Sequence, residues 1–235
     1  TQSYLNLSVP TYYRVVVQNS IYCGIVFSDS TLYTIDATSV GGTITGATSV
    51  CVTLNGGTLT STGKTGVVTS WDSSTVSAAG PFFPIGHIGN THVFSNIPVT
   101  TFYRVSVQNG SCSSVNSAVK TVTVNPASVG GTIAASDTVC ASGNSGTLTL
   151  SGETGIRSWQ ISTDGIGFSA IVPANATASQ TYLNLASTRY YRVRATSGVC
   201  AATFSDTAII TVDQLSIGGS LTSDALICSG LNGDT

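Results

Sequence analysis

The chain has 235 residues, 8% of them charged and 41% hydrophobic, with eight Lys and Arg against ten Asp and Glu. An ordinary soluble domain is about a quarter charged, so 35 Thr and 34 Ser must make this surface polar through hydroxyls. No basic stripe is present to neutralise phosphates, so a nucleic-acid partner is not expected. A single Glu and no Met argue against helices, whereas Val, Ile, Thr and Tyr favour strands. Thr1 opens a polar stretch without the basic and apolar regions of a signal peptide, and no apolar run approaches the ~18 residues of a membrane span. The expectation is a mature, soluble all-β fragment.

Taken in order, the first strand signal is Thr11-Tyr12-Tyr13-Arg14-Val15. It returns as Thr101-Phe102-Tyr103-Arg104-Val105 and as Arg189-Tyr190-Tyr191-Arg192-Val193. A second block, Ser39-Val40-Gly41-Gly42-Thr43-Ile44, returns at Ser128–Ile133 and at Ser216–Leu221, and Trp71 and Trp159 share the spacing. The spacings run from 88 to 90 residues. That divides the chain into the late half of one repeat (1–38), two complete repeats (39–127 and 128–215) and the start of a fourth (216–235). Each repeat is the size of one small sandwich domain rather than of a short solenoid unit.

Within the second complete repeat, alternating runs predict strands near 131–135, 146–150, 156–162, 168–171, 181–185, 189–195 and 206–212. Asp164-Gly165, Ser151-Gly152 and Ser197-Gly198 supply turns. Seven strands, a Trp on the third and a Tyr on the sixth predict an immunoglobulin-like Greek-key β-sandwich. Alternation places Tyr191 and Val193 on one face and Tyr190 and Arg192 on the other, and Trp159 and one of these tyrosines are expected to fill the core.

Cys23, Cys51, Cys112, Cys140, Cys200 and Cys228 are spaced 28, 61, 28, 60 and 28 apart, in step with the repeat. No two are close enough for a zinc knuckle, so structural disulfides and an oxidising, extracellular compartment are expected. Two pairings respect the period. Pairing within repeats gives Cys51–Cys112 and Cys140–Cys200, with Cys23 and Cys228 partnered outside the fragment. Pairing across boundaries gives Cys23–Cys51, Cys112–Cys140 and Cys200–Cys228. The first is the favoured expectation, and the sequence leaves both open.

The sequence carries few groups suited to chemistry. Recurring Arg14, Arg104 and Arg192 read as outward strand residues that cover the sheet or stack on rings. His87 and His92 lie in one repeat only and lack a third ligand, and Phe82 and Phe83 beside them make a small apolar patch. The acidic residues are singles, unlike a calcium site, and no phosphate-binding or nucleophile motif is present. No catalytic residue, metal or cofactor is expected.

The run Ser128-Val129-Gly130-Gly131-Thr132-Ile133, Val139-Cys140, Asn144 to Gly152, Trp159-Gln160, Ser162 to Gly165, Asn184-Leu185, Tyr191-Arg192-Val193 and Cys200 resembles the immunoglobulin-like tandem repeats of giant Bacteroidota cell-surface adhesins. These include SprB-like gliding-motility adhesins exported by the type IX system. The first complete repeat departs from the pattern by lacking the Asp-Gly hairpin. The resemblance implies a long surface filament whose partners are neighbouring repeats, like copies in the filament, and external surfaces or glycans. It also implies O-glycosylation at Asp-Ser/Thr followed by a small or aliphatic residue, making Ser30, Thr138 and Thr207 candidates. The competing expectation is a carbohydrate- or protein-binding module of a secreted multidomain protein.

Overall fold

The computed structural model describes residues 3–134, 136–221 and 230, so Cys228 lies outside the described residues. Among the described residues it is all-β, with 22 strands and no helix. Among those residues no helix is long and apolar enough to cross a membrane. The chain forms two compact units, one of Thr1–Ala127 with Ser197–Ala201 and one of Ser128–Thr196 with Ala202–Thr235.

The first unit opens with two small hairpins. β1 (Thr11–Tyr13) pairs with β4 (Thr31–Tyr33), and β2 (Val16–Val17) pairs with β3 (Val26–Phe27), both antiparallel. The Tyr33 ring lies 4.8 Å from Tyr4 and 5.5 Å from Tyr13. Val15 is 61% exposed here, whereas its counterparts Val105 and Val193 are fully buried in complete repeats.

The rest of that unit is a sandwich made of β5 (Thr43–Gly46), β6 (Ser49–Cys51), β7 (Gly56–Thr62), β8 (Val67–Ser74) and β9 (Phe83–Pro84), followed by β10 (Thr91–Ser95), β11 (Thr101–Gln108), β12 (Val115–Asn116) and β13 (Lys120–Asn125). One sheet has the order β10-β7-β5, and the other β6-β13-β11-β8-β9 with β12 beside β11. Ile44, Leu59 and Phe94 from the smaller sheet meet Trp71, Tyr103, Val105 and Val122 from the larger one in a single core. Strand β11 alternates strictly between buried and half-buried residues, as a strand with one face on a core must. The Trp71 indole N–H, deep in that core, donates to the Gly89 carbonyl at 2.7 Å.

The second unit repeats this plan with β14 (Thr132–Ala134), β15 (Asp137–Cys140), β16 (Ser145–Ser151), β17 (Ile156–Ser162) and β18 (Ser169–Ala170), then β19 (Ser179–Leu183), β20 (Arg189–Thr196), β21 (Thr203–Phe204) and β22 (Ala208–Asp213). Its sheets are β14-β16-β19 and β15-β22-β20-β17-β18, with β21 beside β20. Trp159 fills the core and donates to the Thr177 carbonyl at 2.9 Å. Tyr191 and Val193 face inward together, as the alternation predicts.

Nine strands replace the seven expected per repeat, because the opening segment changes sheets. β14 pairs with β16 antiparallel, and three residues later β15 pairs with β22 in parallel. Alternation alone does not reveal that crossing, and the two-residue β21 is too short to show any period.

Two sequence features find their physical reason in this arrangement. Several cross-strand pairs on the small sheet join hydroxyl residues, with Thr43 opposite Thr62, Thr45 opposite Thr60 and Thr60 opposite Thr91, so much of the outer face is polar without charge, although Val93 opposite Thr58 is exposed. The Gly-Gly pair is enforced by crowding: a Cβ on Gly41 would lie 2.1 Å from the Asn116 carbonyl oxygen, and one on Gly130 would lie 1.9 Å from that of Phe204. Gly41-Gly42 therefore packs its own repeat together.

The cysteine pairing differs from both expectations. The disulfide joins Cys51 to Cys200, 149 residues apart, with Cα atoms 4.9 Å apart. Neither Cys51–Cys112 nor Cys140–Cys200 forms, and Cys23, Cys112 and Cys140 are free thiols. The reason is register. Cys51 ends β6 opposite Asn125, at one end of the sheet. β11 runs antiparallel to β13 from Thr101, opposite Val122, to Gln108. That run carries Cys112 about 25 Å away at ~3.4 Å per residue, and a disulfide spans only about 4.4–6.8 Å between Cα atoms. The same register separates Cys140, opposite Asp213, from Cys200 beyond β20. The cross-boundary pairs Cys23–Cys51 and Cys112–Cys140 are absent too, and Cys200–Cys228 is precluded because Cys200 is already bonded.

Candidate functional site

The most constrained polar region is the turn after each Tyr-Arg strand, where the late cysteine sits. After β11, the Cys112 N–H donates to the Asn109 carbonyl at 2.9 Å, closing a turn in which Gly110 takes φ 49°. After β20, the Cys200 N–H donates to Ser197 at 2.9 Å with Gly198 at φ 51°. Both turns dock on the segment that leads into their own repeat. The Ser111 N–H and hydroxyl donate to the Asp36 carboxylate at 2.9 and 3.1 Å, Asn109 Nδ2 donates to Ala37 O at 2.8 Å, and the Asn109 N–H donates to Ser39 Oγ at 2.9 Å. These bonds hold the Asp36 pKa below its ordinary value, the Ser111 N–H contributing most.

The sulfurs occupy matching places. Cys112 Sγ lies 3.8 Å from Asp36 O and 3.3 Å from Ala37 O. Cys200 Sγ lies 3.6 Å from Asn125 O and 3.1 Å from Pro126 O. Asn125 stands opposite Cys51 in the parallel β6–β13 pair, and its Nδ2 donates to Ser49 Oγ and, at 3.1 Å, to Val50 O. The late cysteine is thus delivered to the strand end that carries the early one.

The strand arginines form a second recurring feature. The Arg14 guanidinium lies 3.9 Å over Phe27, Arg104 lies 4.4 Å over Phe82, and Arg192 lies 4.0 Å from both Phe168 and Phe204. Arg104 Nε pairs with Asp72 at 3.1 Å, and Arg192 Nε donates to Gln160 Oε1 at 2.8 Å. These contacts hold each arginine flat on its sheet. Phe82 is covered in this way, whereas Phe83 remains 64% exposed.

The histidines sit beside the core tryptophan. His92 lies 5.5 Å from the Trp71 ring and 5.6 Å from Tyr103, with His87 at 5.7 Å. His87 Nε2 contacts the Thr91 carbonyl. Burial, and then the neighbouring His87, keep the His92 pKa below 6.5. Among the described residues no group of three His, Cys, Asp or Glu is placed to hold a metal.

A cleft of about 600 Å³ lies against the N-terminal hairpins, lined by Tyr4, Tyr13, Arg14, Asp29 and Tyr33 among others. The equivalents of Tyr13, Val15 and Ser28 in the next repeat are Tyr103, Val105 and Ser117, all buried. The cleft is thus lined in part by residues whose counterparts are buried in the next repeat. Ser30, Thr138 and Thr207 are all exposed. Of the Asn-x-Ser/Thr sites at Asn6 and Asn175, the latter is engaged through Nδ2 with Ser179 O at 2.7 Å.

Recurring polar residues outside the sequence-derived candidates lock the sheets. Ser28, Ser117 and Ser205 accept from the N–H of Val15, Val105 and Val193 at 2.8, 3.0 and 2.8 Å. Asn55 and Asn144 each donate to two carbonyls and accept one backbone N–H. Their signal is present as a Ser 12 or 13 residues after each Val and an Asn four residues after each early cysteine.

Residues 40–126 and 129–214 each match the family described as Domain of unknown function (DUF8696). The chain belongs to this family. No curated protein matches it. The two DUF8696 domains are similar to tandem immunoglobulin and fibronectin domains in solved structures. Murine CEACAM1b is 14% identical, with 73% of this chain and all of that one covered and a TM-score of 0.45. Domains A168-A170 of titin are 13% identical over 87% of this chain and 75% of that one, with a TM-score of 0.44. The fibronectin(III)-like modules of Clostridium thermocellum CbhA are 15% identical over 76% and 100%, with a TM-score of 0.37.

Proposed function

We propose that this chain is a structural and adhesive segment of a long extracellular surface filament, assembled from DUF8696 domains and devoid of catalysis. The observation that carries the reading is the Cys51–Cys200 disulfide, which joins residues of consecutive repeats. A bond of that kind has a use in a tandem array exposed to an oxidising medium. The residues that recur between repeats support it as well, since Trp71 and Trp159, Ser117 and Ser205, and Asn55 and Asn144 all serve core or backbone. Adhesion to surfaces or glycans, a gliding adhesin of the Bacteroidota type and glycosylation of Ser30, Thr138 and Thr207 belong to the same proposal.

The test is intact-mass measurement of the native protein together with protease shaving of whole cells. A chain much longer than 23.9 kDa, released by external protease, is the expected result. A native chain of that mass retained inside the cell would sink the reading. Glycan-array binding by one isolated domain would instead favour a carbohydrate-binding module.

A further inference from the structure

Among the described residues Cys112 and Cys140 have no partner, yet each occupies one half of the geometry that makes the Cys51–Cys200 link. Cys112 stands where Cys200 stands: at the end of the same three-residue turn, its sulfur 3.3 Å from the carbonyl of Ala37 as that of Cys200 is 3.1 Å from Pro126. Cys140 stands where Cys51 stands. It ends the strand that pairs in parallel with the last strand of its sandwich, opposite Asp213 as Cys51 is opposite Asn125. Asp36, Asn125 and Asp213 occupy one position of the repeat, 89 and 88 residues apart. Asp36 and Asn125 are the residues against which the late-cysteine turns dock. Asp213 and the exposed Cys140 beside it complete the receiving half of the same device.

We propose that Cys112 and Cys140 are half-cystines of further links of the Cys51–Cys200 kind. Cys112 bonds the early cysteine of the repeat before it, and Cys140 bonds the late cysteine of the repeat after it, each about 149 residues away by analogy with the observed link. The inference rests on the tandem-filament reading and specifies its covalent regulation. In each link two thiols lose two protons and two electrons to an oxidant of the disulfide class, which leaves as a dithiol.

Such links interlock, because Cys112 and Cys140 both lie inside the loop closed by Cys51–Cys200. A pull on the filament then passes from bridge to bridge through segments such as Cys112 to Cys140, 28 residues long. Fully drawn out, such a segment reaches at most about 100 Å. The residues between Cys51 and Cys112, and between Cys140 and Cys200, lie outside this taut path and stay slack until a disulfide is reduced.

The experiment is disulfide mapping of the native, full-length protein, alkylated before lysis and digested without reductant. The expected result is a Cys51–Cys200 cross-linked peptide, with Cys112 and Cys140 each cross-linked to peptides from outside these 235 residues. Alkylated Cys112 or Cys140, a Cys112–Cys140 pair, or within-repeat pairs Cys51–Cys112 and Cys140–Cys200 would overturn the proposal. A Cys51→Ser variant should expose Cys200 alone to alkylation, with the links of Cys112 and Cys140 retained; loss of either link in that variant would also overturn it. Intact mass on the same sample separates the two readings. A long chain with alkylated Cys112 and Cys140 removes the links and leaves the filament, whereas a chain of 23.9 kDa removes both.

Discussion

Opposite each strand arginine the first sandwich places Asp72 and the second Gln160, so one scaffold holds the same guanidinium by an ion pair in one case and a neutral hydrogen bond in the other. A similar exchange occurs beside the core tryptophan, where His92 of the first sandwich is replaced by Gln180 in the same register of the second. The hairpin beyond the Trp strand differs too. Asp164 accepts from the N–H of Ile166 and Gly167 at 2.9 Å in the second sandwich, a turn the first lacks. What stays constant is the buried set: Leu59 with Leu148, Trp71 with Trp159, Val105 with Val193 and Val122 with Ile210. Close packing tolerates little change in a core, whereas surface contacts can trade charge for neutral polarity at small cost. The two domains therefore have the same fold and different responses to solution conditions.

Removing the disulfide tests the largest asymmetry. In the 235-residue chain, Cys200→Ser should lower stability by up to about 5 kcal/mol, the loop-entropy value for so long a closed loop. Cys140→Ser, at an exposed free thiol, should stay within about 0.5 kcal/mol. Urea unfolding of both variants checks the pair, and equal losses would erase the distinction between them.

Truncating the core should have matching effects on the two sides. Trp71→Ala and Trp159→Ala, each removing an almost fully buried side chain, should each cost about 3–5 kcal/mol. Because each complete domain holds one tryptophan, Trp71→Phe and Trp159→Phe variants let fluorescence follow one domain at a time.

Acid should then separate what the core holds in common. His92 is kept below its ordinary pKa of 6.5 by burial and by His87, so the unfolded chain takes up that proton first. The first domain is at full stability above pH 6.5 and weakens as pH falls from there towards the lower folded value. With Gln180 in that place the second domain should show no such step. Its own step comes lower, because the Ile166 N–H, the Ser162 hydroxyl and the Gly167 N–H hold Asp164 at about 2. That contribution is present above the usual 3.8 and is lost as pH falls through about 2. Urea midpoints of the two single-tryptophan variants between pH 7 and 2 read both steps, and His92→Gln should abolish the upper one.

The smallest expected effect is that of salt. The Arg104–Asp72 pair is partly exposed, with Arg104 at 30% and Asp72 at 8%. Raising ionic strength should weaken the first domain by under about 1 kcal/mol. In the second domain Gln160 adds nothing to such a response, which there rests on the Arg157–Glu153 pair. Asp72→Asn should flatten the salt response of the first domain and leave that of the second unchanged.

Much of the architecture is legible in the chain before any coordinates. The 88-residue period, the Tyr-Arg strands and the paired tryptophans define two sandwiches, and alternation requires Tyr191 and Val193 to share a face. The hydroxyl-rich composition reads directly as the polar outer face, where Thr43 meets Thr62 and Thr45 meets Thr60. The crossing from β14 to β15 is hidden, since two strands of three and four residues separated by Ala135 and Ser136 look like one run. The serines and asparagines that lock the sheets are hidden in another way. In a chain with 34 Ser, a hydroxyl matters only where an N–H faces it.

The low charge and high Ser/Thr content of the sequence determine a β-rich chain with an uncharged polar surface, and the repeat determines how many domains it makes. Six cysteines stand in step with that repeat. Which cysteine meets which was decided only in three dimensions. Spacing along the chain measures contour, whereas a disulfide depends on where strand register leaves each Cα, and the parallel β6–β13 pair leaves Cys51 facing Cys200 rather than Cys112.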